Sequence, residues 1–211
     1  LESGIKSLKN CNCFAILGGT FDPIHYGHIT TAEEILEKTE VEKVIFIPSG
    51  DPPHKRDKAV TESRHRGEMT RIAVKGHKNF VYSSIEIDRR GKTYTIDTIR
   101  QLRKELGEDK KFYFVMGADA MLLIDTWKNS KELLKICSFI AVTRPGYDTQ
   151  MFENFVDDLK KREECDIRVM EIPAVDISSS EIRERIARGK SISDLVPKNV
   201  EKYISDNGLY K

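Results

Sequence analysis

Short runs of β-branched and aromatic residues alternate along this chain with longer stretches of helical period, and that alternation restricts the possible folds more than any other feature. The runs fall at 14–17, 44–47, 81–85, 112–116, 139–142 and 167–170. Four of them, at 14–17, 44–47, 112–116 and 139–142, are continuously apolar rather than alternating, as strands buried on both faces are, so helices must cover the sheet on each side. The pattern predicts the α/β class: a Rossmann-like, doubly wound, mainly parallel sheet of about six strands flanked by helices. A helix is expected over 94–106, where Ile96, Ile99, Leu102 and Leu106 recur three or four apart and Gly107 supplies a stop. Another follows His28, marked by Ile29, Ala32, Ile35 and Leu36. Between 50 and 60, Pro52 and Pro53 precede alternating charges, which favours a mobile loop. No repeat or proline-glycine linker divides the 211 residues, so 11–211 reads as a single domain. Residues 1–10 read as an N-terminal extension or tag remnant and receive no role.

Several function classes fall away. The 35 lysines and arginines against 34 aspartates and glutamates leave no general attraction to nucleic acid or anionic lipid, so any basic site must be local. The apolar runs are far shorter than the roughly 20 residues of a membrane span. No secretory leader is evident, and a cytoplasmic protein without a membrane partner is the expectation. Cys11, Cys13, Cys137 and Cys165 lack the repeated spacing of a zinc site and read as reduced thiols.

The chemistry begins directly after the first strand, at Gly-Gly-Thr-Phe-Asp-Pro-Ile-His-Tyr-Gly-His, residues 18–28. Gly18 and Gly19 let backbone N–H groups approach an anion, and the helix that follows adds its dipole and free donors. The run is neither a P-loop nor a Gly-x-Gly-x-x-Gly dinucleotide turn, so another phosphate chemistry is required. His25 and His28 stand three apart and can donate to one polyphosphate. Zinc chelation by these two would need a third ligand, and only Asp22, turned back from the loop, is near.

A second phosphate site follows the last strand, at Ile177, Ser178, Ser179, Ser180, Glu181, Ile182 and Arg183. Ser178 and Glu181 have the spacing of a capping box, so a helix begins there with free N–H groups. Arg183 can add a planar, permanently charged fork. In a doubly wound sheet both turns lie at the carboxyl ends of strands and should face one ligand.

With these residues in view, the stretch 18–28 resembles the signature of the nucleotidyltransferase superfamily marked by His-x-Gly-His, here His25-Tyr26-Gly27-His28. The Ile-Ser-Ser-Ser stretch with Arg183 resembles its second signature. Between them, Pro52-Pro53-His54-Lys55, Tyr94-Thr95-Ile96-Asp97-Thr98, Gly117-Ala118-Asp119, Trp127 and Arg144-Pro145-Gly146 are similar to the bacterial nicotinate mononucleotide adenylyltransferase family. The resemblance covers about residues 15–203. It implies that the adenylyl group of ATP is transferred to nicotinate mononucleotide, with Thr20 and Lys55 on the mononucleotide phosphate. It also implies that Gly117 and Asp119 face a ribose, and that Tyr94, Thr95 and Trp127 frame the pyridine ring. The expected ATP and phosphate set is then Gly18, Gly19, Thr20, Phe21, His25, His28, Gly117, Asp119, Ile177, Ser178, Ser179, Ser180 and Arg183. The segment Trp127-Lys128-Asn129 falls where family members vary, so nicotinate over nicotinamide rests on the resemblance.

No nucleophile supported by a base is evident, so the expected mechanism is direct in-line attack, with His25, His28 and Arg183 as the catalytic groups. Mg²⁺ is expected to be held mainly by phosphate oxygens and water rather than by protein ligands. A homo-oligomer is compatible with the sequence, as is a non-catalytic ATP-binding module built on the same turn.

Overall fold

The computed structural model of the chain describes residues 7–51, 60–173 and 175–211. Six strands, β1 (Cys13–Gly19), β2 (Lys43–Pro48), β3 (Phe80–Tyr82), β4 (Lys111–Gly117), β5 (Ser138–Thr143) and β6 (Ile167–Glu171), form one sheet in the order β3-β2-β1-β4-β5-β6. Every pairing is parallel. The chain builds outward from β1 in one direction, then from β4 in the other, which is the doubly wound arrangement expected from the sequence. Its switch point lies between β1 and β4.

Helices cover both faces because both faces are apolar. Phe14, Ile16, Phe112, Phe114 and Phe139 project to one side. There they meet Ile96, Ile99 and Leu102 of α3 (Thr95–Leu106) and Leu133 and Leu134 of α5 (Ser130–Ile136). Phe152, Val156 and Leu159 of α6 (Thr149–Glu163) complete that layer. Their alternating neighbours Ala15, Leu17, Tyr113, Val115 and Ile140 meet Ile29, Ala32 and Ile35 of α1 (Tyr26–Lys38) and Met69 and Ala73 of α2 (Ser63–Val74) on the other. The second face also takes Ile182 of α7 (Ser179–Ala187) and Val200 and Ile204 of α8 (Lys198–Asp206). Each fully buried apolar side chain of this kind contributes about 1.5–3 kcal/mol, which is why β1 and β4 tolerate no polar residue at mid-strand. The short α4 (Ala118–Met121) follows β4 directly.

Three local differences from the sequence reading have physical causes. The third strand ends at Tyr82 rather than reaching residue 85, because Ser83 and Ser84 start a turn: the Ser84 hydroxyl donates to Asp88 Oδ2 at 2.7 Å, and Asp88 N–H donates to the Ser84 carbonyl at 2.9 Å. Polar side chains that bond nearby groups compete with the ladder. Tyr94 is the N-cap of α3 rather than its first residue, while Gly107 ends that helix at φ +130° as expected. Residues 7–10, read as part of an extension, form a 3₁₀ turn whose Leu8 is 1 % exposed and packs into the core. Of the loop expected over 50–60, Gly50 lies so close to the Glu86 backbone that a Cβ would stand 2.2 Å from its carbonyl oxygen, a position only glycine can hold. Residues 52–59, including Lys55, lie outside the described residues.

Candidate active site

The carboxyl ends of β1 and β4 diverge at the switch point, and two cavities open there. One, of about 520 Å³, is lined by Gly18, His25, His28, Gly117, Asp119, Arg144 and Ser178 among others. The second, of about 590 Å³, is lined by Gly19, Thr20, Tyr94, Thr95, Phe114 and Trp127 among others. Gly18, Val115, Met116 and Gly117 line both, so the cavities meet over the two strand ends. Each has the volume of a small-molecule site. Gly18 can be nothing larger without pushing on Phe114, whose ring would stand 3.3 Å from an added Cβ.

The first cavity is the more polar of the two. His25 caps α1 in an extended conformation, and its backbone N–H donates to His28 Nδ1 at 3.3 Å. With Nδ1 accepting, the His28 proton sits on Nε2. The two rings lie 3.8 Å apart between centroids, and the edge of Phe21 meets His28 at 4.9 Å. Phe21 lines neither cavity; it is a buried prop beneath His28, held at φ +50°, a left-handed conformation that a bulky residue keeps only when packing enforces it. His25 is 7 % exposed, and its buried Nδ1 has no partner among the described residues. Burial, and secondarily the positive charge of Arg144, hold the His25 imidazole at about 4. Burial, then the neighbouring His25, hold His28 well below the ordinary histidine value. Both rings are therefore neutral at pH 7 in the free protein, and a polyphosphate would find donors that have not been spent on protein partners.

The second signature closes on the first. Ser178 caps α7 by accepting from Glu181 N–H at 3.1 Å, the forward half of the capping box. Glu181 pairs instead with Arg185 at 2.8 Å. Ser179 Oγ donates to the Pro23 carbonyl at 2.9 Å, and Arg183 Nη1 donates to the Asp22 carbonyl at 2.7 Å. Arg183 Nη2 reaches Ser180 Oγ at 3.2 Å. Ile177, Ser178 and Ser179 line the polar cavity, whereas Ser180 and Arg183 stand behind it, on the turn that carries His25. Asp119 does not cap α4; it lines the same cavity and accepts from the Tyr147 hydroxyl at 3.2 Å.

The second cavity is aromatic. Trp127 is half-buried and meets Phe114 edge-on, with centroids 5.9 Å apart and planes at 82°. Lys128 Nζ sits 4.1 Å from the centre of the Tyr94 ring and 3.3 Å from Asp97 Oδ2. Glu86 forms part of the wall, accepting from Thr98 Oγ1 at 2.8 Å; burial pushes its carboxyl above the usual range. Thr20, expected to serve both substrates, lines this cavity and not the polar one.

Two residues escaped the sequence reading. Arg144 was noted within Arg144-Pro145-Gly146 but given no role, yet it lines the polar cavity and acts electrostatically on His25. Arg66 carries no motif at all. It is 2 % exposed and donates to three carbonyls: Thr61 at 2.8 Å, Thr20 at 2.8 Å and Gly50 at 3.1 Å. One buried cation thus ties the loops that follow β1 and β2.

The buried histidine gives a pH prediction. The folded-state value of His25, about 4, lies below its ordinary value of 6.5, so the unfolded chain binds more protons between those limits and stability falls as pH falls. The contribution is complete above pH ~6.5 and declines toward pH ~4, amounting to about 2 kcal/mol between pH 7 and 5. Thermal melts of wild type and His25→Gln across that range should converge as the pH drops; parallel curves would show that His25 is not held neutral by the fold.

Residues 16–185 match the model of the cytidylyltransferase-like family. The probable nicotinate-nucleotide adenylyltransferase of Thermoanaerobacter sp. (strain X514) is 48 % identical over 196 residues, covering 93 % of each chain. That of Moorella thermoacetica is 46 % identical over 196 residues, covering 93 % of this chain and 90 % of its own. Among solved structures, the Plasmodium falciparum nicotinic acid mononucleotide adenylyltransferase complexed with NaAD superposes with a TM-score of 0.73 at 23 % identity, over 94 % of this chain and 97 % of that one. At that identity the likeness is one of fold.

Proposed function

The chain belongs to the nicotinate-nucleotide adenylyltransferases of the cytidylyltransferase-like family, and from that premise we infer that it transfers the adenylyl group of ATP to nicotinate mononucleotide. The products are nicotinate adenine dinucleotide, destined for NAD biosynthesis, and pyrophosphate. The observation that carries this reading is the pair of cavities meeting at Gly18 and Gly117, one polar and edged by two neutral histidines, the other aromatic. We assign ATP to the first and the mononucleotide to the second. The acceptor phosphate and the α-phosphorus of ATP then meet over the strand ends.

In the reaction an oxygen of the acceptor phosphate forms a bond to the α-phosphorus as the bond to the bridging α,β-oxygen breaks, and pyrophosphate leaves with that electron pair. A phosphate monoester is already an anion near neutral pH, so no base is required and catalysis reduces to alignment and charge stabilisation. His28 Nε2–H and the one ring N–H of neutral His25 would meet the charge growing toward pyrophosphate, and Arg183, bonded to the Asp22 carbonyl behind the cavity, would add its positive charge from there. Backbone N–H groups at Gly18 and Gly19 and at the start of α7 add fixed dipoles. Among the described residues no three His, Cys, Asp or Glu side chains converge on an ion site. The donor set suits Mg²⁺ that arrives on ATP, held by phosphate oxygens and water, where it would offset charge on the leaving group. A cytoplasmic location is part of the same reading; among the described residues no helix is long and apolar enough to cross a membrane.

The pyridinium of the mononucleotide should stack on Trp127, at a value of about 0.5–2 kcal/mol. Trp127→Ala should therefore raise the KM for the mononucleotide by roughly threefold to thirtyfold and leave the KM for ATP unchanged. A large drop in melting temperature with an unaltered mononucleotide KM would make the indole a core residue instead. The reaction itself is tested by incubating the protein with ATP and either nicotinate or nicotinamide mononucleotide and identifying the dinucleotide formed. A higher kcat/KM for the acid form is expected; turnover of neither would overturn the assignment.

A further inference from the structure

Asp22 lies in the first signature, 5 % exposed, where the second closes on it. Its Oδ1 accepts from the Tyr210 hydroxyl at 2.7 Å, and its Oδ2 accepts from Thr61 N–H at 3.2 Å. Its own carbonyl accepts from Arg183, and the next carbonyl, of Pro23, accepts from Ser179. One dipeptide is thus gripped through its side chain by Tyr210 and Thr61 and through its backbone by α7. Arg66 supplies the neighbouring positive charge and bonds the carbonyl of the same Thr61 whose N–H serves Asp22.

Tyr210 lies 188 residues from Asp22 in sequence and lines neither cavity. It is nonetheless built in. Tyr210 and Leu209 pack against the core on the α1 and α2 face, Leu209 N–H donates to the Ile204 carbonyl at 3.1 Å, and the Tyr210 hydroxyl lies 4.0 Å from Met69 Sδ. Its backbone is held at φ +66°. Burial, with Asp22 alongside, raises the phenol above its ordinary range, so it remains a donor at any working pH. A buried carboxylate that loses one of its two donors is left with an unsatisfied oxygen and shifts toward another, and that shift moves the backbone on which Arg183 rests.

We propose that Tyr210 is a positioning residue for adenylyl transfer: its hydroxyl fixes the Asp22 carboxylate, and Asp22 in turn fixes the Arg183 guanidinium. The proposal rests on the function assigned above. The effect falls on turnover rather than on acceptor binding, because Tyr94 and Trp127 stand in the other cavity, away from Asp22.

The test uses the full chain with Tyr210→Phe, which removes one oxygen and keeps the ring. The kcat should fall by about tenfold, with both KM values within about twofold of wild type and the melt still cooperative. In an Arg183→Ala background the same change should cost less than about twofold, because the group it positions is gone. Wild-type turnover in Tyr210→Phe, or an undiminished tenfold loss in the Arg183→Ala background, would overturn the proposal. Should Tyr210→Phe fail to fold, Asp22→Asn is carried through the same pair of backgrounds and read the same way. A wild-type chain that makes no dinucleotide defeats the functional reading; an active wild type with an equally active Tyr210→Phe defeats only the role of Tyr210.

Discussion

His28→Ala lowers kcat by about a hundredfold or more while the protein stays folded, since removing one preorganised donor to transition-state charge commonly costs that factor. The geometry isolates the effect. His28 Nδ1 is occupied by the His25 backbone N–H, so its Nε2–H is the donor left for substrate. The ring is neutral in the free protein because burial and His25 disfavour the imidazolium. It therefore acts as a neutral donor whose bond strengthens as charge builds on the departing pyrophosphate. The structural loss is small: a partly buried ring resting on the edge of Phe21. About 1 kcal/mol is at stake there, a shift of roughly 2–4 °C in Tm for a chain of this size. Steady-state kinetics beside a thermal melt decide the matter. Near-normal turnover in a folded variant would leave His28 as a helix-start residue and no more.

The largest effect on stability is expected at Arg66. Replacing it by methionine keeps much of the volume but strands the carbonyls of Thr20, Gly50 and Thr61 and removes the cation beside Asp22. Each buried acceptor left without its donor costs about 1–3 kcal/mol, and a buried charge deprived of its partner costs about 3–5 kcal/mol, so a total loss of about 3–5 kcal/mol is a conservative expectation. Arg66→Lys should recover only part of it, because one ammonium cannot span three carbonyls set around a planar fork. Denaturant titration would measure both variants. A loss under about 1 kcal/mol for Arg66→Met would mean that water replaces the guanidinium without penalty.

Arg66 also shows where the sequence stops being legible. The strands at β1, β2, β4 and β5 could be placed because a both-faces-buried strand is a nearly unbroken apolar run, β6 because Ile167, Val169 and Met170 still stand out around Arg168, and the two signature turns because glycines and paired histidines have few other uses. β3 was displaced toward residue 85 because Ser83 and Ser84 look tolerable in a strand until their hydroxyls are seen to bond within the turn. Arg66 and Tyr210 left no trace, since their partners lie at separations such as 46 and 188 residues and neither sits in a motif. Arg144 was visible as a letter but not as a charge beside His25. Leu8, one apolar residue in a polar stretch, gives no period from which burial could be read. Many of the cavity-lining residues fall in the signatures, but Phe21, Ser180 and Arg183 line neither cavity, Thr20 lines only the second, and the position of Arg183 behind the polar cavity had no trace in the sequence. Its spacing from Ser178 tells which helix face it occupies and not which neighbour holds it.

The central claim is transfer of the adenylyl group itself, and tracing the α-phosphate tests it most directly. With ATP labelled at the α-phosphorus and nicotinate mononucleotide in excess, all transferred label should appear in nicotinate adenine dinucleotide, one pyrophosphate should form per dinucleotide, and none should be retained on the protein. Label that stays in bound ATP, or that is trapped covalently on the chain, would contradict the account.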